Sequence, residues 1–159
     1  MDEEKLAKQV LETLTSYYNF EERKKNAKKV FQDVFELEIE PVMIVRNNRV
    51  IATYKMPLNA NKELSELAKQ LTRNEEVFLM FSVTEINEEE KEAVEDELYS
   101  YPKISILGKE WHLVELKYPI SIYELVMLLD KYVAKISLYP SELEENILDG
   151  LVEPAYEPL

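Results

Sequence analysis

The stretch that decides the fold is residues 37–57, LEIEPVMIVRNNRVIATYKMP. Two β-rich segments, 39–45 and 50–56, lie on either side of Asn47 and Asn48. Asparagine tolerates a positive φ, so this pattern predicts a β-hairpin closed by a two-residue type I′ turn. The predicted register places apolar residues opposite each other and one acid opposite a lysine: Val45 with Val50, Ile44 with Ile51, and Glu40 with Lys55.

Helical spacing precedes and follows this hairpin. Upstream, apolar residues recur every three or four positions, as on one face of a helix: Leu6, Val10, Leu14 and Tyr17. Asn19 followed by Glu22 matches a capping box, which predicts that a second helix begins there. Downstream of Pro57, a third helix is predicted, with Asn59 or Asn61 as its N-cap.

The second half of the chain continues with both kinds of pattern. Residues 77–83 carry apolar residues on both faces of a strand, Val77, Leu79, Phe81 and Val83 against Phe78 and Met80, which predicts a central strand covered on both sides. Asn87 and Glu90 form a capping box ahead of a further helix. Segments 103–107 and 110–117 flank Gly108-Lys109, a pattern that favours a type II′ hairpin.

The last apolar segment predicts a helix. Ser121 and Glu124 match another capping box. The apolar residues that follow have helical spacing: Ile122, Leu125, Val126, Leu129, Val133 and Ile136. A short helix from Ser141 to Gly150 is also expected, with an irregular tail after it.

These elements predict one α+β domain over residues 1–150, followed by the tail at 151–159. A helical pair would occupy residues 2–36, and the sheet with its helices would occupy residues 37–150. The expected sheet has five strands, mostly antiparallel, built from two hairpins and a central strand and flanked by helices. From residue 39 onward the element order resembles that of the roadblock/longin and profilin-like domains, which implies a scaffold or regulatory role. The helix after Asn87 departs from their pattern.

Composition excludes several classes of site. The 159 residues contain no Cys, one His and two Gly, so thiolate catalysis, Cys-based zinc sites and glycine-rich phosphate loops are excluded. The net charge of −13 repels the phosphates of nucleic acids and of anionic lipids, so we expect neither a nucleic-acid nor a membrane partner. We expect no cofactor and a cytoplasmic location. The 27 Glu and 15 Lys against three Gln are typical of thermophile proteins.

One hairpin carries the pattern of a known active site. Residues 102–119, PKISILGKEWHLVELKYP, resemble the core hairpin of PD-(D/E)xK nucleases. The resemblance implies that Glu115 would help to hold a divalent metal and that Lys117 would help to activate water. Lys103 stands where the family has a metal-binding Asp. We therefore expect no bound metal and no metal-dependent cleavage, and the nuclease hypothesis becomes one of a divergent or inactive relative.

Other residues suggest binding rather than catalysis. Arg46 and Arg49 face each other across the predicted turn, where they could clamp an anion. Tyr123 and Tyr132, on the predicted last helix, could anchor a protein contact. The lone His112 is expected to be a packing residue. Acids concentrated in residues 85–97 suggest either a solvated helix or a decoy of nucleic acid.

The leading hypothesis is a non-enzymatic protein-interaction or regulatory module that is acidic and self-associating. The strongly apolar predicted helix 122–136, or a strand edge beside it, would form the homodimer contact. The alternatives are the divergent nuclease and the acidic decoy.

Overall fold

Residues 2–57, 61–72, 77–116 and 122–140 are described by this computed structural model, and they contain three helices and seven strands. The helices are α1 (Glu3–Phe35), α2 (Lys62–Thr72) and α3 (Glu88–Leu98). The strands are β1 (Val42–Arg46), β2 (Arg49–Pro57), β3 (Val77–Glu85), β4 (Lys103–Ile106), β5 (Lys109–Leu116), β6 (Ile122–Leu128) and β7 (Tyr132–Pro140). The expected α+β class is confirmed.

All seven strands form one antiparallel sheet in the order β1-β2-β3-β7-β6-β5-β4. Three hairpins supply six of the strands, and β3 joins the first hairpin to the last by pairing with β2 on one side and β7 on the other. The expected count of five strands is therefore wrong. The two additional strands, β6 and β7, come from the segment for which a helix was predicted.

The predicted helix over residues 122–136 is instead the hairpin β6–β7. Both strands carry apolar residues on each of their two faces, so the spacing of these residues fits a helix and a buried strand equally well. The turn around Asp130 divides the segment, and the Leu129 amide donates to the Tyr132 carbonyl oxygen at 2.8 Å across it. Pairing with β5 and β3 decides between the two conformations, because it satisfies the backbone groups of both strands.

The predicted helical pair over residues 2–36 is one continuous helix, α1, of 33 residues. Asn19 lies inside α1, so the capping box predicted for Asn19 and Glu22 does not form. Asp2 is the N-cap instead, and its carboxylate accepts a hydrogen bond from the Glu4 amide at 3.0 Å. A polar residue inside a helix and a polar N-cap residue look alike in sequence. They differ only in whether the helix is interrupted at that position, and at Asn19 it is not.

The first hairpin forms as predicted. Asn47 and Asn48 have φ angles of 52° and 59°, and Val45 pairs with Val50. Glu40 precedes β1, whose pairing with β2 begins at Val42 and Thr53, so the expected pair with Lys55 is not part of the hairpin. Glu40 forms an ion pair with Lys28 of α1 at 2.6 Å.

The turn of the β4–β5 hairpin differs from the prediction. It consists of Leu107 and Gly108, with φ angles of 54° and 73°. Two successive positive φ angles are typical of a type I′ turn, whereas type II′ was expected. The Leu107 amide donates to the Glu63 carboxylate of α2 at 3.2 Å, which supports the strained residue.

The main core lies between the first face of the sheet, on which α1 and α2 pack, and these helices. Alternate strand residues point to that face, and the largest fully buried side chain among the described residues is that of Trp111. Its indole N–H donates to the Ile106 carbonyl oxygen at 2.9 Å, and Phe35 stacks on it with ring centroids 6.0 Å apart. Helix α1 contributes Phe31, Val34 and Phe35, and α2 contributes Leu64 and Ala68. The opposite face, the second face, carries α3 at one end.

An ion pair holds α1 on the sheet. Glu85, at the end of β3, accepts hydrogen bonds from the Arg23 guanidinium at 2.6 and 2.9 Å and from the Val50 amide at 2.7 Å. The hydrogen bond to Glu85 raises the pKa of Arg23. Burial, followed by the charge of Glu85, raises the pKa of the neighbouring Tyr132.

Candidate functional site

The nuclease-like hairpin places its polar residues on different faces of the sheet. Glu115 is half-buried on the first face, where its Oε2 accepts a hydrogen bond from the Tyr123 hydroxyl at 3.2 Å. Lys103 pairs with His112 and so lies on the second face. Lys117 lies outside the described residues. The residue at the family's Asp position and Glu115 therefore do not converge on one site.

Within the described ranges, no group of three or more His, Asp or Glu side chains is arranged to hold a metal ion. His112 is half-buried, with its Nδ1 3.4 Å from the Tyr101 carbonyl oxygen. The nuclease hypothesis thus gains no observation in its favour. The expected lack of metal-dependent cleavage stays a prediction.

The two arginines of the first hairpin face each other in the β1–β2 register, as predicted. Arg49 is already engaged by α3, because its Nε donates to Glu90 Oε1 at 3.0 Å. Asn87 caps the same helix, and its side chain accepts from the Glu90 amide at 2.8 Å. Arg49 therefore ties the hairpin to the start of α3, and an anion bound between Arg46 and Arg49 would compete with Glu90.

Tyr123 and Tyr132, which were predicted to lie on one helix, are on the separate strands β6 and β7. Both are half-buried on the first face and pack against its core. Their positions favour a role at the edge of the core over one as exposed anchors of an interface.

The acids of residues 85–97 divide into two groups. Glu85 and Glu90 contact Arg23 and Arg49 and connect elements of the fold. The others on α3 that are exposed to solvent are Glu88, Glu89, Glu92, Glu95, Asp96 and Glu97. They form a solvated helix face, and the decoy hypothesis remains untested.

The N-terminal half of α1 presents an exposed apolar stripe, defined here by Leu6, Val10, Leu11 and Leu14. These four side chains are between 50% and 64% exposed. A shallow groove runs along the stripe from Glu3 to Leu14. Among the side chains of α1 that the structure describes, the first buried one is that of Phe20, which packs with Val45 and Val50 of the sheet. None of the described helices, α1 included, combines the length and apolar composition needed to cross a membrane.

A second candidate site is a groove of about 410 Å³ on the second face, called here the α3 groove. Helix α3 forms one wall, and strands β5, β6 and β7 form the floor. Its apolar lining includes Ile86, Val94, Leu98, Val114, Val126 and Val133. The volume lies within the range of about 300–1,000 Å³ that is typical of small-molecule sites.

Two opposite charges open into the α3 groove. Glu124 is only 9% exposed, and the Ser137 hydroxyl donates to its Oε2 at 3.0 Å. Lys135 Nζ lies 4.0 Å from Glu124 Oε1, which is too long for a hydrogen bond. Among the described residues, only Ser137 donates a hydrogen bond to this carboxylate. A buried carboxylate with a single hydrogen bond is costly and marks a candidate site.

The sequence analysis missed both features as sites. The apolar spacing of the α1 stripe was recognised, but spacing cannot show whether another element covers it. The α3 groove is not recognisable from the sequence, because the sequence predicts that Glu124 caps a helix, whereas Glu124 lies on a strand. The signal that could have revealed it is the single acid within the apolar segment 122–129.

Comparison with known proteins identified no relative of this chain. A scan against protein-family models and searches of curated proteins and solved structures found no match for this chain.

Proposed function

We propose that this chain is a non-enzymatic interaction module that self-associates through the α1 stripe. The single observation that carries the proposal is the exposure of Leu6, Val10, Leu11 and Leu14 along one helix. Contiguous exposed apolar surface of this kind marks protein contacts in proteins that otherwise keep such residues covered.

The occupant proposed for the stripe is a second copy of the same helix. Ala7, Val10 and Leu14 are spaced by three and four residues, as in the contact seam of paired helices. Leu6 and Leu11 widen the seam on its two sides. A matching apolar stripe on the partner covers this surface in both copies at once, as a two-fold interface requires.

Charge favours this pairing and its direction. Residues 2–19 carry four acids and two lysines, a net charge of −2, whereas the whole chain carries −13. Two copies therefore repel least along this segment. An antiparallel arrangement also places the two acidic bodies at opposite ends of the helix pair. We propose that Val10 packs near Val10 of the second copy and that Leu6 packs near its Leu14.

The test is the effect of a charge placed in the stripe. Leu14→Glu should weaken dimerisation by about tenfold or more, because it buries a carboxylate against an apolar surface. Lys8→Gln, on the opposite side of α1, changes the net charge by the same amount and should leave the dimer intact. Molar mass is measured by light scattering at tens of micromolar.

Direction is tested with single cysteines, since the chain has none of its own. Val10→Cys should form a disulfide-linked dimer on oxidation, and Leu6→Cys should cross-link with Leu14→Cys rather than with itself. A monomeric mass for the native chain, with helix content retained, would overturn self-association.

A further inference from the structure

We propose that the α3 groove binds a free apolar α-amino acid, whose ammonium group meets Glu124, whose carboxylate meets Lys135 and whose side chain enters the apolar part beneath α3. This proposal is independent of the α1 stripe, which lies on a different element.

The apolar part of the groove suits a branched or aromatic side chain. Val114, Val126 and Val133 of the sheet form a buried cluster with Leu98 of α3, and Val94 of the same helix packs against it. These side chains offer no hydrogen-bonding group, so the hydrophobic effect selects the part of the ligand that they contact. A space of about 410 Å³ accommodates a side chain together with its charged head group.

Glu124 supplies the site for a cation. Its Oε2 accepts a hydrogen bond from the Ser137 hydroxyl, and the only described cation near Oε1 is the Lys135 ammonium at 4.0 Å. An ammonium group in the groove can donate directly to Oε1, and such charge-assisted hydrogen bonds are stronger than neutral ones. The fold has already removed most water from this carboxylate, so ligand binding does not include the free-energy cost of desolvating it.

Lys135 determines that the ligand is a zwitterion. A simple amine bound to Glu124 would lie beside the Lys135 ammonium and be repelled by it. A simple carboxylate bound to Lys135 would face Glu124, with Glu97 also lining the groove. A ligand that carries both charges on one carbon atom complements the pair, and it is neutral overall, so the net charge of the protein does not oppose its entry.

Binding is tested with L-leucine and two analogues that each lack one charge. 3-Methylbutylamine is leucine without its carboxylate, and 4-methylpentanoate is leucine without its ammonium group. Methyl NMR spectra of the native chain are recorded with each compound at up to about 10 mM, ten times a millimolar dissociation constant. Leucine should shift the methyl signals of Val94, Leu98, Val126 and Val133, and each analogue should bind at least about tenfold more weakly.

Three variants test the assigned contacts. Glu124→Gln and Lys135→Gln should each weaken leucine binding by about tenfold or more, because each removes one charge-assisted contact. Val94→Phe should block binding by filling the apolar part from the wall of α3. The matched controls, Glu92→Gln and Lys131→Gln, alter exposed charges outside the groove and should bind leucine as the native chain does.

Several outcomes would overturn the proposal. One is the absence of methyl shifts with leucine, methionine and phenylalanine. Another is equal binding of leucine and either analogue, which would show that the ligand does not need both charges. A third is unchanged affinity in Lys135→Gln. Lys135 is the more exposed of the pair, so this variant remains informative even if Glu124→Gln fails to fold.

Discussion

Glu85 adds polar contacts to the apolar packing that attaches α1 to the sheet. It is largely buried, and it joins three elements by accepting hydrogen bonds from Arg23 of α1 and from the Val50 amide of β2. Such a carboxylate stabilises the fold only while both donors stay in place. Removing it leaves the Val50 amide without its side-chain acceptor and leaves the Arg23 guanidinium with its hydrogen bond to the Asn48 carbonyl oxygen but without its carboxylate partner.

Replacing Glu85 by Gln should lower the free energy of unfolding by about 2–3 kcal/mol, because one partner of a partly buried ion pair is lost. Urea unfolding at pH 7 measures the change. The control is Glu40→Gln, which breaks the exposed ion pair with Lys28 and should cost at most about 1 kcal/mol. An equal decrease in the free energy of unfolding in the two variants would show that the Glu85 contacts do not attach α1 to the sheet.

The residues of the nuclease-like hairpin show why a motif is a weaker prediction than a register. Glu115 and Lys103 have the sequence separation that the resemblance requires. The β4–β5 register nevertheless places Lys103 opposite His112 and thus on the other face from Glu115. A shift of one residue in this register would have placed them on the same face, and sequence spacing does not distinguish the two.

At the scale of single elements, α3 begins as predicted. Asn87 and Glu90 form a reciprocal capping box, and Arg49 adds an ion pair from β2. The hydrogen bond from the Asn87 amide is the largest influence on Glu90, and it lowers the pKa of that carboxyl, with Arg49 acting in the same direction. A lowered pKa in the folded state means that the ionised form stabilises the protein.

The stabilisation by Glu90 is therefore present above the ordinary carboxyl pKa of about 4.3, and it is lost as the pH falls through the lower pKa of the folded state. Glu90→Gln retains the capping geometry but not the charge. It should be less stable than the native chain at pH 7 by at most about 1 kcal/mol, because the pair is exposed.

This difference should disappear once the pH falls below the lowered pKa of Glu90 in the folded state, and thermal unfolding from about pH 7 into the acid range measures it. Glu89→Gln, one residue earlier on the same helix, is the control for the helix dipole and should show a smaller dependence on pH. A pH-independent difference for Glu90→Gln would contradict the role of its charge.

For the whole molecule, charge is the dominant property. Thirty-two acids against nineteen basic residues repel one another in the folded state. Most acids of α3 are exposed. Protonation of surface carboxylates relieves this repulsion. The specific loss at Glu90 begins only at lower pH.

We therefore expect the melting temperature to hold or rise between pH 7 and about pH 5. Addition of salt at pH 7 should raise it in the same way, since salt screens exposed charges. Scanning calorimetry at several pH values and salt concentrations measures both effects. A steep loss of stability between pH 7 and pH 5 would show that paired acids, rather than repelling ones, dominate.

Local chemistry was enough to predict the first hairpin and the cap of α3. The Asn47-Asn48 turn and the Asn87–Glu90 box depend on residues at most three positions apart, and both form as expected. The α+β class followed from the same local patterns, and so did the apolar face of α1. The sequence offered two asparagines as the N-cap of α2. One of them, Asn61, is the N-cap, because its side chain accepts a hydrogen bond from the Leu64 amide at 2.9 Å.

Only the tertiary structure decided the conformation of residues 122–136 and the sites that depend on it. An apolar segment with this spacing satisfies its backbone either as a helix, by itself, or as strands, by pairing with neighbours. Here β3 and β5 provide those neighbours, so the segment becomes β6 and β7. This pairing turns Glu124 and Lys135 to the face that carries α3. Separately, no element of the described fold covers the α1 stripe. Long-range contacts therefore determined both candidate sites, because each depends on which surfaces the packed elements cover.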